Sequence, residues 1–155
     1  MSTVQDFYDV RRDGKIIPEG MTFHEIIALG EKSLVVEARW KCSATQKSVS
    51  LKSPFGVAAS VVQGRQFVVA RIYTKESDSQ VTVFNCDGSV HLNLSNTQKI
   101  NGQDQQGEFY WFQDAHHPAD GVFGVVFQCD YQPSAQYWMD IDAATGKVLK
   151  CTWTK

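Results

Sequence analysis

Hydrophobic and polar residues alternate along most of this chain with a period of two, the spacing of strands rather than of helices. In residues 34–42 the positions Leu34, Val36, Ala38, Trp40 and Cys42 are apolar, with Glu37, Arg39 and Lys41 between them, which marks a strand with one wet face. The same period predicts strands near residues 48–53, 56–62 and 66–73, the last two joined by the glycine turn Gln63-Gly64-Arg65. Residues 81–86 and 89–94 flank Asp87-Gly88, a strong hairpin signal, and put Val90, Leu92 and Leu94 on one face. Residues 109–112, 121–128 and 137–142 follow as strands. A turn at 142–147 then leads into residues 148–153, where Leu149, Cys151 and Trp153 share a face.

One segment departs from this period. Thr22 and Glu25 have capping-box spacing, Met21 and Ile26 occupy the staple positions, and Gly30 suits a left-handed stop. They predict a short helix over residues 23–29, with Phe23, Ile26 and Ile27 on a face suited to packing against a sheet. Before it, residues 1–18 read either as a hairpin turned at Asp13-Gly14 or as a loosely held arm. Residues 96–107 are polar and Gln-rich and read as a mobile loop. The turns are too short for the crossover helices that parallel pairing needs, so the sheet should be antiparallel. The expected fold is mainly β: an antiparallel meander forming a curled sheet, a sandwich or a partly open barrel, with one short N-terminal helix. Residues 1–155 read as a single β-rich domain.

Composition agrees with a folded protein. Of the 155 residues 43% are hydrophobic and 21% charged, enough for a core without disulfides or a structural metal. A net charge of -2 argues against non-specific binding to nucleic acid or to anionic membranes. No apolar run reaches the roughly 20 residues that span a bilayer. Residues 1–10 carry Asp6 and Asp9 and lack the basic and apolar regions of a secretory signal, so a cytoplasmic location is expected. Cys42, Cys86, Cys129 and Cys151 fit no zinc or disulfide spacing and read as buried free thiols.

Candidate chemistry is sparse. His116-His117 lies in a loop between Asp114 and Asp120 and could supply a general base or metal ligands, but no metal spacing supports it, and solvent-exposed loop histidines are expected. No nucleophile stands in a recognisable elbow and no glycine loop has P-loop spacing. Asp140 and Asp142 sit two apart on a strand, about 7 Å, which suits a divalent ion or paired carboxylates or, more simply, a solvated strand face. No catalytic residue, metal site or cofactor is therefore expected.

Charge distribution is more informative. Between Asn101 and Asp142 there are seven acidic residues and no Lys or Arg, whereas all 15 basic residues lie elsewhere. That window also holds nine aromatic residues. By alternation Tyr137, Met139 and Ile141 face one side of their strand, with Trp138, Asp140 and Asp142 on the other. An aromatic beside carboxylates is the composition of a protein-binding surface, in which the rings anchor and the charges steer a basic partner. The alternative is that the rings fill the sheet interior and the acids solubilise its outer face.

A small meander ending in Tyr137-Trp138-Met139-Asp140-Ile141-Asp142, followed by Thr145-Gly146-Lys147-Val148-Leu149, resembles the immunity proteins of bacterial contact-dependent inhibition and related polymorphic toxin systems. The resemblance implies a non-enzymatic protein that binds a cognate basic toxin domain, often a nuclease, in a one-to-one complex. It puts charge complementarity on Glu108, Asp114, Asp120, Asp140 and Asp142, with Tyr110, Trp111 and Trp138 as anchors. Two other readings stay open: a small-ligand or carbohydrate module stacking on Trp111 and Trp138, and a hydrolase using the His116/His117 loop.

Overall fold

The computed structural model describes residues 2–75, 80–132 and 135–154. The fold is mostly β, built of antiparallel sheets taken up in chain order. The first contains β1 (Val4–Arg11), β2 (Ile16–Pro18), β3 (Val35–Cys42) and β4 (Ser48–Lys52), in the order β2-β1-β3-β4. Helix α1 (Phe23–Ile27) lies between β2 and β3. The second contains β5 (Val57–Val61), β6 (Phe67–Ile72), β7 (Val81–Asn85) and β8 (Val90–Asn93), in that order. The third has the order β13-β12-β11-β10-β9, from β9 (Thr97–Ile100), β10 (Gln103–Gln113), β11 (Val122–Cys129), β12 (Gln136–Asp142) and β13 (Val148–Trp153).

The second sheet lies between the other two, as alternation along β6 shows. Val68 and Ala70 join the core shared with Val4, Phe7, Ala38, Trp40 and Leu51 of the first sheet. Val69, between them, joins the core of Phe109, Val125, Phe127, Met139 and Ile141 from the third. Burying side chains as large as Trp40 and Phe127 stabilises the fold by about 2–3 kcal/mol each. Polar ties cross the first boundary too: Trp40 Nε1 donates to the Cys86 carbonyl at 2.7 Å, and the Val4 N–H donates to the Arg65 carbonyl at 2.8 Å.

Four expectations are settled locally. The opening segment is the hairpin, with Tyr8 opposite Pro18 and β1 continuing into register with β3. Residues 96–107 are not a loop: β9 and β10 pair there from Ile100↔Gln103 to Thr97↔Gln106, around Asn101-Gly102 with φ of 53° and 81°. Two successive positive φ values are the signature of a tight hairpin turn. Polar residues lie on both faces of these strands, which erases the period of two. α1 has its capping box, but none of its residues is buried, and Phe23 and Ile27 are 73% and 55% exposed, so it does not pack on a sheet. Five residues make little more than one turn, too short to lay an apolar stripe across a neighbour. Finally, Cys42, Cys86 and Cys129 are buried free thiols, whereas Cys151 is exposed on the outermost strand β13.

Candidate partner interface

The middle sheet ends at β5, which has β6 on one side and, among the described residues, no registered strand on the other. The Tyr73 N–H donates to the Gly56 carbonyl and the Val62 N–H to the Phe67 carbonyl, at the two ends of the β5–β6 ladder. Antiparallel strands alternate hydrogen-bonded and non-hydrogen-bonded pairs. With Gly56 and Val62 bonded to β6, Val57, Ala59 and Val61 turn their backbone N–H and C=O groups to the open side. β10 has a partly open edge of its own: β9 is in register with Gln103–Gln106 of it, and beyond Gly107, whose N–H donates to the Asn96 carbonyl, its strand partner among the described residues is β11.

A slot of about 800 Å³ separates these edges. One side is β5, lined from Val57 through Val62; the other is Tyr110, Trp111, Phe112 and Gln113 of β10, then Asp114 and Ala115. The first sheet contributes Asp9 and Val35. Ala58 and Ser60 put only small side chains into this lining. A bulge between Phe109 and Phe112 re-aims Trp111, which is 47% exposed with its Nε1 donating to Gln113 Oε1 at 3.2 Å. β11 approaches closely only because residue 124 is glycine: a Cβ there would stand 2.5 Å from the Gln113 carbonyl oxygen. At the far end buried Arg71 donates to the Tyr110 carbonyl at 2.5 Å, with its guanidinium 4.9 Å from the Tyr73 ring centroid.

Asp9 is the unusual group here. Its Oδ1 is enclosed and, among the described residues, has no hydrogen-bond partner. Burial pushes its carboxyl up to about 6, because a charge in a poorly solvated place favours protonation. Arg71 at the far end is the basic group against this slot, and among the described residues no Lys, Arg or His stands in its lining beside Asp9.

The sequence-chosen residues divide. Tyr110, Trp111 and Asp114 line the slot, and Asp120 stands at its rim, where Gln63 Nε2 donates to Oδ1 at 3.4 Å. Trp138 and Asp140 sit behind it. Asp140 does not lie on a solvated face but is 1% exposed. Its Oδ1 accepts from the His116 N–H at 2.7 Å and from His116 Nδ1 at 3.0 Å, and its Oδ2 accepts from the His117 N–H at 3.0 Å. Burial acts to raise the Asp140 pKa, but the bonds from His117 and His116 together hold it below the ordinary carboxylate value. The His116 and Trp138 ring centroids are 3.8 Å apart, and Trp138 Nε1 donates to the Asp114 carbonyl at 3.0 Å. Strand β12 thus pins the segment that carries Asp114. His116 is half-buried rather than solvent-exposed, because Asp140 captures its ring; His117 is exposed as expected. Glu108 is exposed on β10 outside the slot, and Asp142 organises the β12–β13 turn through the Ala144 N–H and the Thr145 hydroxyl.

An aspartate–histidine pair can orient a catalytic base, yet here both carboxylate oxygens are occupied by the loop they hold. No described hydroxyl or thiol donates to either imidazole, and no group of three His, Cys, Asp or Glu side chains among the described residues could hold a metal. Sequence reasoning missed Asp9 and the open β5 edge. The available signals were the small run Ala58-Ala59-Ser60 and an acid inside a strand whose Phe7 and Arg11 are buried.

No protein-family model matches the chain, and no curated protein sequence matches it. A chain of the solved structure described as "Structure of Tne2 in complex with Tni2" is similar to it, with 28% sequence identity and a TM-score of 0.89 over 98% of this chain and 99% of that one.

Proposed function

We propose that this protein is a non-catalytic immunity protein that binds and neutralises a cognate toxin domain, and that the neighbour's assembly is a toxin held by its immunity protein. The observation that carries this reading is the near-complete likeness to a chain of a two-protein complex. The slot supports it, with exposed Trp111 and half-buried Tyr110 beside Asp114 and with Asp120 at the rim. Rings of this kind anchor interfaces, and unpaired acids steer a basic partner. In this reading the partner is a basic domain met in the cytoplasm of a bacterial cell and held one-to-one, with Trp138 and Asp140 acting through the segment they pin.

The test is genetic and biochemical. Proteins encoded beside this chain's gene are expressed alone and together with it, and the purified pairs are weighed in solution at low and high salt. One of them should arrest growth, lose its toxicity on co-expression, and form a one-to-one complex that salt weakens. If none is toxic, or if the toxic one neither binds nor is neutralised, the proposal fails.

A further inference from the structure

Resting on that reading, we infer that the toxin delivers an extended segment into the slot, where it pairs with β5 as a fifth strand of the middle sheet and sets a lysine or arginine against Asp9. Three observations meet at this place. First, the outward N–H and C=O groups of Val57, Ala59 and Val61 form a ready edge for strand addition. Second, both outer sheets contribute to the slot, Asp9 and Val35 from the first and Tyr110 and Phe112 from the third, so an added strand would meet a different layer on each face. Third, Asp9 lines the slot with one carboxylate oxygen that has no partner among the described residues, and the basic group at the slot, Arg71, is engaged with the Tyr110 carbonyl at the far end.

These features specify the occupant. Val57, Ala59 and Val61 belong with the core of the first sheet, and Val62 with that of the third, so the two sides of β5 face different layers. A strand laid beside it alternates in the same way. Residues directed to the first layer meet Asp9 and should be basic; those directed to the third meet Tyr110 and Phe112 and should be apolar. A strand of about five or six residues is the usual length of such an element. The ammonium or guanidinium would pair with the Asp9 carboxylate where it lines the slot, favouring its ionised form.

The experiment uses the full chain and a synthetic peptide of about seven residues that alternates lysine and valine, compared with one carrying glutamate for lysine and with one N-methylated at alternate amides. Hydrogen exchange and amide chemical shifts are read for Val57, Ala59 and Val61. The lysine peptide should slow exchange there by about tenfold or more, and the other two should bind about tenfold more weakly. Asp9→Asn should weaken the lysine peptide by about fivefold or more. Ala59→Pro removes one outward N–H while leaving the β6 ladder intact and should do the same at an unchanged melting temperature. The inference is overturned if β5 shows no protection, if lysine and glutamate peptides bind alike, or if both variants bind as the parent does. A toxin that is captured and neutralised with β5 untouched would sink this inference alone, whereas a lysine peptide on β5 with no toxin found would sink only the functional reading.

Discussion

Asp140 and Asp9 are both carboxylates withdrawn from water on strands, and they differ in every other respect. Asp140 accepts from two backbone N–H groups and one imidazole, and its pKa is held down. Asp9 keeps an enclosed oxygen with no described partner, and its pKa is pushed up to about 6. A buried acid with its bonds filled stabilises the structure around it, whereas a half-buried one with an enclosed, unfilled oxygen costs stability. The first holds the Asp114–His117 segment; the second waits in the slot that this segment borders.

Removing each group should separate these roles. The largest effect is expected for Asp140→Ala, which orphans the His116 and His117 N–H groups and should lower unfolding free energy by about 3 kcal/mol in denaturant titration. A loss under about 1 kcal/mol would mean that water serves the segment equally well. Next, Trp111→Ala should leave stability nearly unchanged but cost about 2 kcal/mol of toxin affinity by calorimetry. Equal affinity would remove the slot from the interface. Asp9→Asn should act in the opposite direction on folding, raising unfolding free energy at pH 7.5 by about 1–2 kcal/mol while weakening toxin binding. The smallest effect belongs to Asp142→Ala, about 1 kcal/mol or less, from its two turn bonds.

The pH dependence sharpens the same contrast. Asp9 in the folded chain holds its proton up to about 6, whereas unfolded it would release it near 3.8. Between those values the folded state binds more protons, so the Asp9 contribution makes stability fall as pH rises through that window. Asp140, with its depressed pKa, contributes stability above about 3.8 that is lost as pH falls through its folded value. Denaturant curves for the parent and Asp9→Asn from pH 3.5 to 7.5 should therefore converge at the acid end and diverge toward neutrality. Parallel curves would show that Asp9 carries no burial penalty.

Much of the fold was legible where side chains alternate cleanly. Ala38, Trp40 and Cys42 are buried and Arg39 is exposed, as the period requires, although Leu34, read as part of that strand, lies ahead of β3 and is exposed; Asp87-Gly88 turns β7 into β8. Where polar residues lie on both faces, as in β9 and the start of β10, the period vanished, although backbone pairing there is as regular as elsewhere. The site was legible only in part. Tyr110, Trp111 and Asp114 stand out by composition, but composition treats Asp114 and Asp140 alike, and only the fold shows that one lines a slot while the other is spent holding it in place.

The sequence alone determined what depends on neighbours along the chain: the strands with clean alternation, the glycine turns between them, the antiparallel sense that short connections impose, and the capping of α1. Tertiary structure decided what depends on residues far apart: the stacking of three sheets, the open edges of β5 and β10, and the state of each buried carboxylate. The bond from Arg71 to the Tyr110 carbonyl joins positions 39 apart, and that from the His116 N–H to Asp140 joins positions 24 apart. Alternation says which way a side chain points relative to its own strand. It carries no information about which layer will stand opposite, and that layer fixes both the slot and the pKa of the acids beside it.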